Sequence, residues 1–531
     1  MERNSQPMMA INEKKIFNLT CAVYLAAFLF YWIYSFQYDW DTITDIIFLQ
    51  KFQQYDISRI HPHSPLLGIL LFPLSGFIDP LYSIIFLSCI SLIATAYLFK
   101  NISSRFVSEK ISILTLIVFF SSVSFYKTAL KLDDNFFQIP ILLLIFKLVI
   151  DRPAKYYNAF LTGILLSLTI CIHIQAMIFI PLLAAAFFYK SDMKKTGDRI
   201  KLSFLCLVST LIIFLPIALM LITQNHTGIC NELTRYFTDK RFSTLAATPS
   251  LQYFFNLIPL YIVYLAVNIA PLPLYSGIPL DALICIADIA WLIFFFATAL
   301  SAIFFKKNSA EKFFIYANSS IIILSMTFNF LYEPISNERW CTSVPFFYLL
   351  FSIGIQRLIN FKEFKIIKLA GKNYALLALF SIITSIFIIN FKFTCESAVN
   401  KTGVYIYPNR TTFSLINENV DKNAPLIMGF DIPWLMMSYL RPEITVYQND
   451  FYLHSVQNGI FCDFKTIDDF KKYIQKYNVI YFHECARPFI EKNFKDAPGK
   501  IELHKVVQDS FFINNSPESG HSFKIFSLRV K

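Results

Sequence analysis

The acidic residues of this chain lie almost entirely between its apolar runs, and the first sizeable gap collects several of them. Asp39, Asp41, Asp45 and Asp56 fall within 37–65, a segment that closes on His61-Pro62-His63-Ser64-Pro65. A carboxylate at a water–lipid boundary can take a proton from a hydroxyl when partly desolvated, or hold a divalent cation that neutralises phosphate. The plainer reading is a solvated loop. A second short gap carries Lys127 and Lys131 followed by Asp133-Asp134-Asn135. Adjacent carboxylates repel unless a metal, a lysine or a proton compensates, and the lysines can meet a phosphate as point charges. The Asp-Asp-Asn run equally suits the start of a helix. His173 and Gln175 interrupt the apolar stretch 157–189. They read either as a sugar or phosphate contact or as a helix break whose polar groups satisfy each other. Arg339 opens the run 340–356. Its planar fork matches a pair of phosphate oxygens, unless it only snorkels to the interface.

These clusters need a scaffold, and the composition supplies one. The 531 residues are 56% hydrophobic and 16% charged, against about 25% charged in soluble domains. Apolar runs recur at 16–36, 80–99, 111–126, 136–150, 157–172, 174–189, 202–222, 279–304, 313–331, 340–356 and 374–391. The runs at 66–78 and 251–270 carry or end in proline and read as interfacial or re-entrant helices. The pattern predicts a polytopic α-helical membrane protein with roughly 11–13 transmembrane helices. Lysines and arginines concentrate in alternate gaps, such as 190–201 and 357–372, as the positive-inside rule requires of cytoplasmic loops. The acid clusters and Arg339 then share the opposite side, as does everything after the last span. The net charge of +11 does not gather on one face, so it gives no nucleic-acid footprint.

The composition changes near residue 392. Residues 1–391 read as the membrane domain and 392–531 as a small extracytoplasmic α/β domain. Short apolar blocks at 424–430, 444–447, 479–482, 511–513 and 523–530 have strand character. The segment 467–477 has a helical pattern capped by Thr466. Most cysteines sit in or beside apolar runs as small core residues. Cys462 and Cys485 lie on the outer side, where a disulfide can form.

Taken in order, the motifs resemble those of the GT-C glycosyltransferases, in particular the branch of protein O-mannosyltransferases and the lipid A aminoarabinose transferase. Asp41-Thr42 stands where that branch opens its first loop. Tyr55-Asp56 stands at its aromatic turn, and His61-Pro62-His63-Ser64-Pro65-Leu66 at its His/Pro-rich stretch. Asp133 or Asp134 matches the second-loop acid, and Arg339-Trp340 with Pro345 matches the later Arg-aromatic-Pro motif. The chain departs at Tyr55 (Gly is usual), at Ser64 (Pro is usual) and at His173 (Lys is usual).

The resemblance implies inverting transfer of a sugar from a polyprenyl-phosphate donor to a hydroxyl of a glycan, lipid or protein, on the periplasmic side of a bacterial inner membrane. Asp41 would be the base, with Asp39 in reserve. Lys127, Lys131 and Arg339 would stabilise the leaving phosphate. His61, His63 and His173 would contact substrate. Asp133 or Asp134 would orient the acceptor, or share a divalent cation with Asp41 if the reaction uses one. The alternative class, a transporter or lipid-glycan flippase, predicts ionisable residues at span centres; Lys147 is the main internal charge.

Overall fold

The computed structural model describes residues 13–35, 65–190, 195–223, 251–270, 280–304, 309–331, 337–360 and 478–483. It also describes strands at 426–428, 446–448, 504–512 and 520–529, and isolated positions between. The chain divides into two compact units. One comprises Met1–Phe30, Pro62–Leu67 and Tyr82–Phe391; the other comprises Tyr31–His61, Gly68–Leu81 and Lys392–Lys531.

The helices are α1 Glu13–Phe30, α2 Pro65–Ser75, α3 Pro80–Ser103, α4 Glu109–Ser121, α5 Val123–Lys131, α6 Asp134–Asp151, α7 Tyr156–Ile172, α8 Ile180–Lys190, α9 Thr196–Thr223, α10 Leu251–Ile269, α11 Leu280–Phe304, α12 Ser309–Leu331, α13 Asn337–Cys341 and α14 Val344–Asn360. Among the described residues, Glu13–Tyr34, Pro80–Ser103, Thr196–Leu219 and Ala310–Leu331 are each long and apolar enough to cross a membrane alone. α7 and α14, at 17 residues each, are shorter. The run 111–126, expected as a span, bends by 60° between α4 and α5. Ser122 makes the break in extended conformation (φ −65°, ψ 140°). The bend exposes backbone donors, which hydrocarbon cannot satisfy. The Val123 N–H bonds to the Ala270 carbonyl (3.1 Å), just past the end of α10. The outer face of α9 displays Phe204, Leu211, Leu215 and Leu219, the apolar surface a lipid-facing helix presents.

Two glycines set how closely helices approach. A Cβ on Gly163 of α7 would sit 2.5 Å from the Cys206 carbonyl oxygen of α9, and one on Gly354 of α14 within 2.5 Å of Thr298 backbone atoms on α11. Small residues at such crossings let membrane helices pack backbone to backbone. Gly163→Ala is expected to cost about 1–3 kcal/mol through forced separation of α7 and α9, read as a lower unfolding midpoint in detergent. An unchanged midpoint would show that the pair is not closely packed.

The second unit holds a five-stranded sheet of order β2-β1-β3-β5-β4, built from β1 Leu426–Met428, β2 Val446–Gln448, β3 Val479–His483, β4 His504–Phe512 and β5 Gly520–Arg529. The β1–β2 and β1–β3 pairs are parallel; β3–β5 and β4–β5 are antiparallel. Each strand overlaps or adjoins an apolar block expected from the sequence. The expected helix at 467–477, the run 374–391 and the Cys462–Cys485 pair lie outside the described residues. Cys21, Cys89, Cys171, Cys206 and Cys341 are free thiols.

Candidate functional site

The second loop is a rigid turn. Phe119 and Phe120 at the end of α4 meet Phe125 of α5 with ring centroids 4.6 Å apart in each pair, and Phe125 meets Phe136 of α6 at 5.7 Å. This aromatic ladder fixes α5 between two spans. Lys127 and Lys131 follow one another by a single turn, so they share a face of α5; both are half-buried. Leu132 then closes α5 in the left-handed region (φ 59°, ψ 33°). That conformation costs a non-glycine residue about 1 kcal/mol. Full burial of the Leu132 side chain is worth about 1.5–3 kcal/mol, which offsets the strain. Asp133 caps α6: its Oδ1 accepts from the Asn135 backbone N–H (2.8 Å) and side-chain Nδ2 (2.9 Å).

The break after α7 faces this turn. His173 is extended and caps the 3-10 turn Ile174–Phe179. Gln138 of α6 donates to the Thr169 carbonyl (3.2 Å) and to the His173 carbonyl, so side chains satisfy the interrupted end of α7.

The single helical turn α13 joins these pieces. Glu338 accepts from Lys131 Nζ at 2.6 Å. Arg339, the next residue, places Nη1 3.2 Å from His173 Nε2. Its carbonyl accepts from Gln175 Nε2 (2.8 Å) and Asn329 Nδ2 (3.1 Å), which fixes the backbone under the guanidinium. Asp134 Oδ1 lies 3.9 Å from His173 Nε2. Behind the turn, Trp340 is fully buried against Tyr261 (5.7 Å).

The His173 tautomer follows from its cap. Nδ1 accepts the Gln175 N–H (3.1 Å), so a neutral ring carries its proton on Nε2. A guanidinium has no acceptor. His173 Nε2–H and Arg339 Nη1 are therefore two donors side by side, and they do not bond to each other. Such a pair suits a shared anionic oxygen.

Of the residues expected from the sequence, the structure brings Lys131, Asp134, His173 and Arg339 into one connected group, with Lys127 and Asp133 in the same turn. Asp39, Asp41, His61 and His63 lie outside the described residues. Among the described residues, no three His, Cys, Asp or Glu side chains converge to hold a metal ion. Sequence reasoning assigned nothing to Glu338, Gln138 or Asn329. Gln138 carries a readable signal: it stands four residues after Asp134, on the same face of α6. Lys147 is paired with Asp151 (2.6 Å). Asp288 of α11 is a second internal ionisable residue, fully buried, with neither carboxyl oxygen hydrogen-bonded.

The same helices enclose an apolar cavity of about 400 Å³. Leu142 and Val149 of α6, Phe179 and Tyr189 beyond His173, Phe313 of α12 and Phe346 beyond Arg339 line it. Leu142 lies about 12 Å along α6 from Asp134, and the cavity extends from there away from the charged turn, to Val149.

The helical bundle, with its broken helix pair, has the fold of solved GT-C structures. It is similar to the crystal structure of ArnT from Cupriavidus metallidurans bound to undecaprenyl phosphate, with TM-score 0.63, 10% identity, and coverage of 96% of this chain and 97% of that one. It is also similar to the archaeal oligosaccharyltransferase AglB from Archaeoglobus fulgidus in complex with an inhibitory peptide and a dolichol-phosphate, with TM-score 0.50, 10% identity, and coverage of 91% and 71%. No protein-family profile and no curated protein matches the sequence.

Proposed function

We propose that this chain is a glycosyltransferase that moves a sugar from a polyprenyl-phosphate donor to an acceptor hydroxyl on the extracytoplasmic face. One observation carries the reading: the paired donors of Arg339 and His173, with Lys131 in the same connected group, head a bundle that encloses an apolar cavity further along its helices. A ligand with an anionic head and a hydrocarbon tail matches both. The likeness to the ArnT structure, which holds undecaprenyl phosphate, supports the same ligand class.

The reaction is an inverting displacement. The acceptor oxygen forms a bond to C1 of the sugar as the C1–O bond to phosphate breaks. The acceptor's proton passes to a base, assigned to Asp41 on the first-loop motif with Asp39 in reserve. The phosphate leaves on its lipid with one more negative charge, which Arg339, His173 and the lysines stabilise where it develops. His61 and His63 contact substrate. Asp134 or Asp133 orients the acceptor, and the 392–531 domain shapes acceptor choice.

The reading requires residues 41 and 339 to open to the same side. In a cysteine-free background, single cysteines at both positions are expected to react with a membrane-impermeant maleimide added to intact spheroplasts. Labelling of one from outside and of the other only after lysis would remove the shared site.

A further inference from the structure

The charged turn is balanced as it stands. Among the described residues, Lys127, Lys131 and Arg339 are accompanied by Asp133, Asp134 and Glu338, in a continuous path from the Lys131–Glu338 pair through Arg339 and His173 to Asp134. A phosphodiester entering this group adds one negative charge, and the phosphate released after transfer carries another. Uncompensated charge beside hydrocarbon is costly, so the balance must be restored as the ligand binds.

The carboxylates differ in their freedom to yield. Asp133 is tied into the cap of α6 by two hydrogen bonds. The Asp134 side chain is 4% exposed, enclosed beside His173. Glu338 is 16% exposed and sits on a helix of a single turn, and its partner Lys131 is 33% exposed. Glu338 alone of these acids has both a route to water and a direct bond to a cation that phosphate would use.

We propose that Glu338 is a displaceable counter-ion: it holds Lys131 in place while the site lacks donor, and yields Lys131 to the phosphate of the lipid-linked ligand. Glu338 is a positioning residue by this account. It competes with substrate for Lys131, and its removal strengthens the binding of an anion. The inference rests on the proposed donor class and deepens it.

The test is binding of undecaprenyl phosphate to the full-length protein in nanodiscs, measured for the wild type, Glu338→Gln, Lys131→Gln and the double variant. Glu338→Gln is expected to tighten binding about tenfold, the worth of one charge-assisted contact regained. Lys131→Gln is expected to weaken it. Adding Glu338→Gln to Lys131→Gln should change nothing further, because the competition is for that lysine. The unfolding midpoint of each variant separates loss of fold from loss of site, and Glu338→Ala, which also removes the carboxylate, covers failure of the glutamine variant to fold. Unchanged or weaker binding by folded Glu338→Gln, or by Glu338→Ala if only that variant folds, overturns the counter-ion role while leaving the donor class intact. Absence of saturable binding by the wild type overturns the donor class itself.

Discussion

Arg339→Ala should lower sugar transfer from a lipid-linked donor by about 10²–10³-fold, the loss expected when one preorganised donor to a developing negative charge is removed. The surrounding contacts make this a test of the side chain. The Arg339 carbonyl is held by Gln175 and Asn329, and Trp340 remains packed on Tyr261. The turn α13 therefore keeps its anchors when the guanidinium goes. His173 keeps its Nε2–H as a donor, because its Nδ1 still accepts from Gln175. Arg339→Lys should recover little, since an ammonium cannot present a planar pair of donors. Transfer by Arg339→Ala at more than about a tenth of the wild-type rate, with the protein folded, would remove the guanidinium from the phosphate.

Asp41→Asn should lower transfer by about 10²–10⁴-fold, the usual contribution of a positioned general base, with insertion and unfolding midpoint unchanged. The amide keeps the shape of the carboxylate but cannot accept the acceptor's proton. The effect should fall on turnover rather than on donor binding, since the base acts on the acceptor. Asp39→Asn should do much less if Asp41 is the base; the reverse order would transfer the role to Asp39. Equal, small effects at both positions would move the base away from the first loop.

The sequence made the scaffold legible because hydropathy and strand character are local properties. Runs of apolar residues announced the helices, and the blocks at 424–430 and 479–482 announced β1 and β3. The breaks were legible unevenly. His173 and Gln175 stand out in an apolar stretch, so an interrupted helix could be expected there. Ser122 does not stand out, because a serine costs little on a hydropathy scale, its hydroxyl here bonding back to the Phe119 carbonyl of the preceding helix at 2.7 Å. The site was legible as residue types but not as partners. Lys131 and Glu338 are 207 positions apart, and His173 and Arg339 are 166 apart. No local pattern ties residues across such spans; the packing of α13 against α5 and the broken helix does. Asp288 was passed over for a related reason: an acid within a long apolar run reads as an interruption, and its enclosure depends on neighbouring helices.

The most direct measurement supplies the protein in nanodiscs with an organic extract of radiolabelled lipid-linked phosphosugars, together with membranes as acceptor, and follows both label and lipid carrier. The account predicts that label leaves the lipid and free polyprenyl phosphate appears in equal amount with the wild type, and that neither occurs above background with Asp41→Asn. Wild-type protein that is folded yet releases no polyprenyl phosphate, or releases as much with Asp41→Asn as without it, would contradict the account.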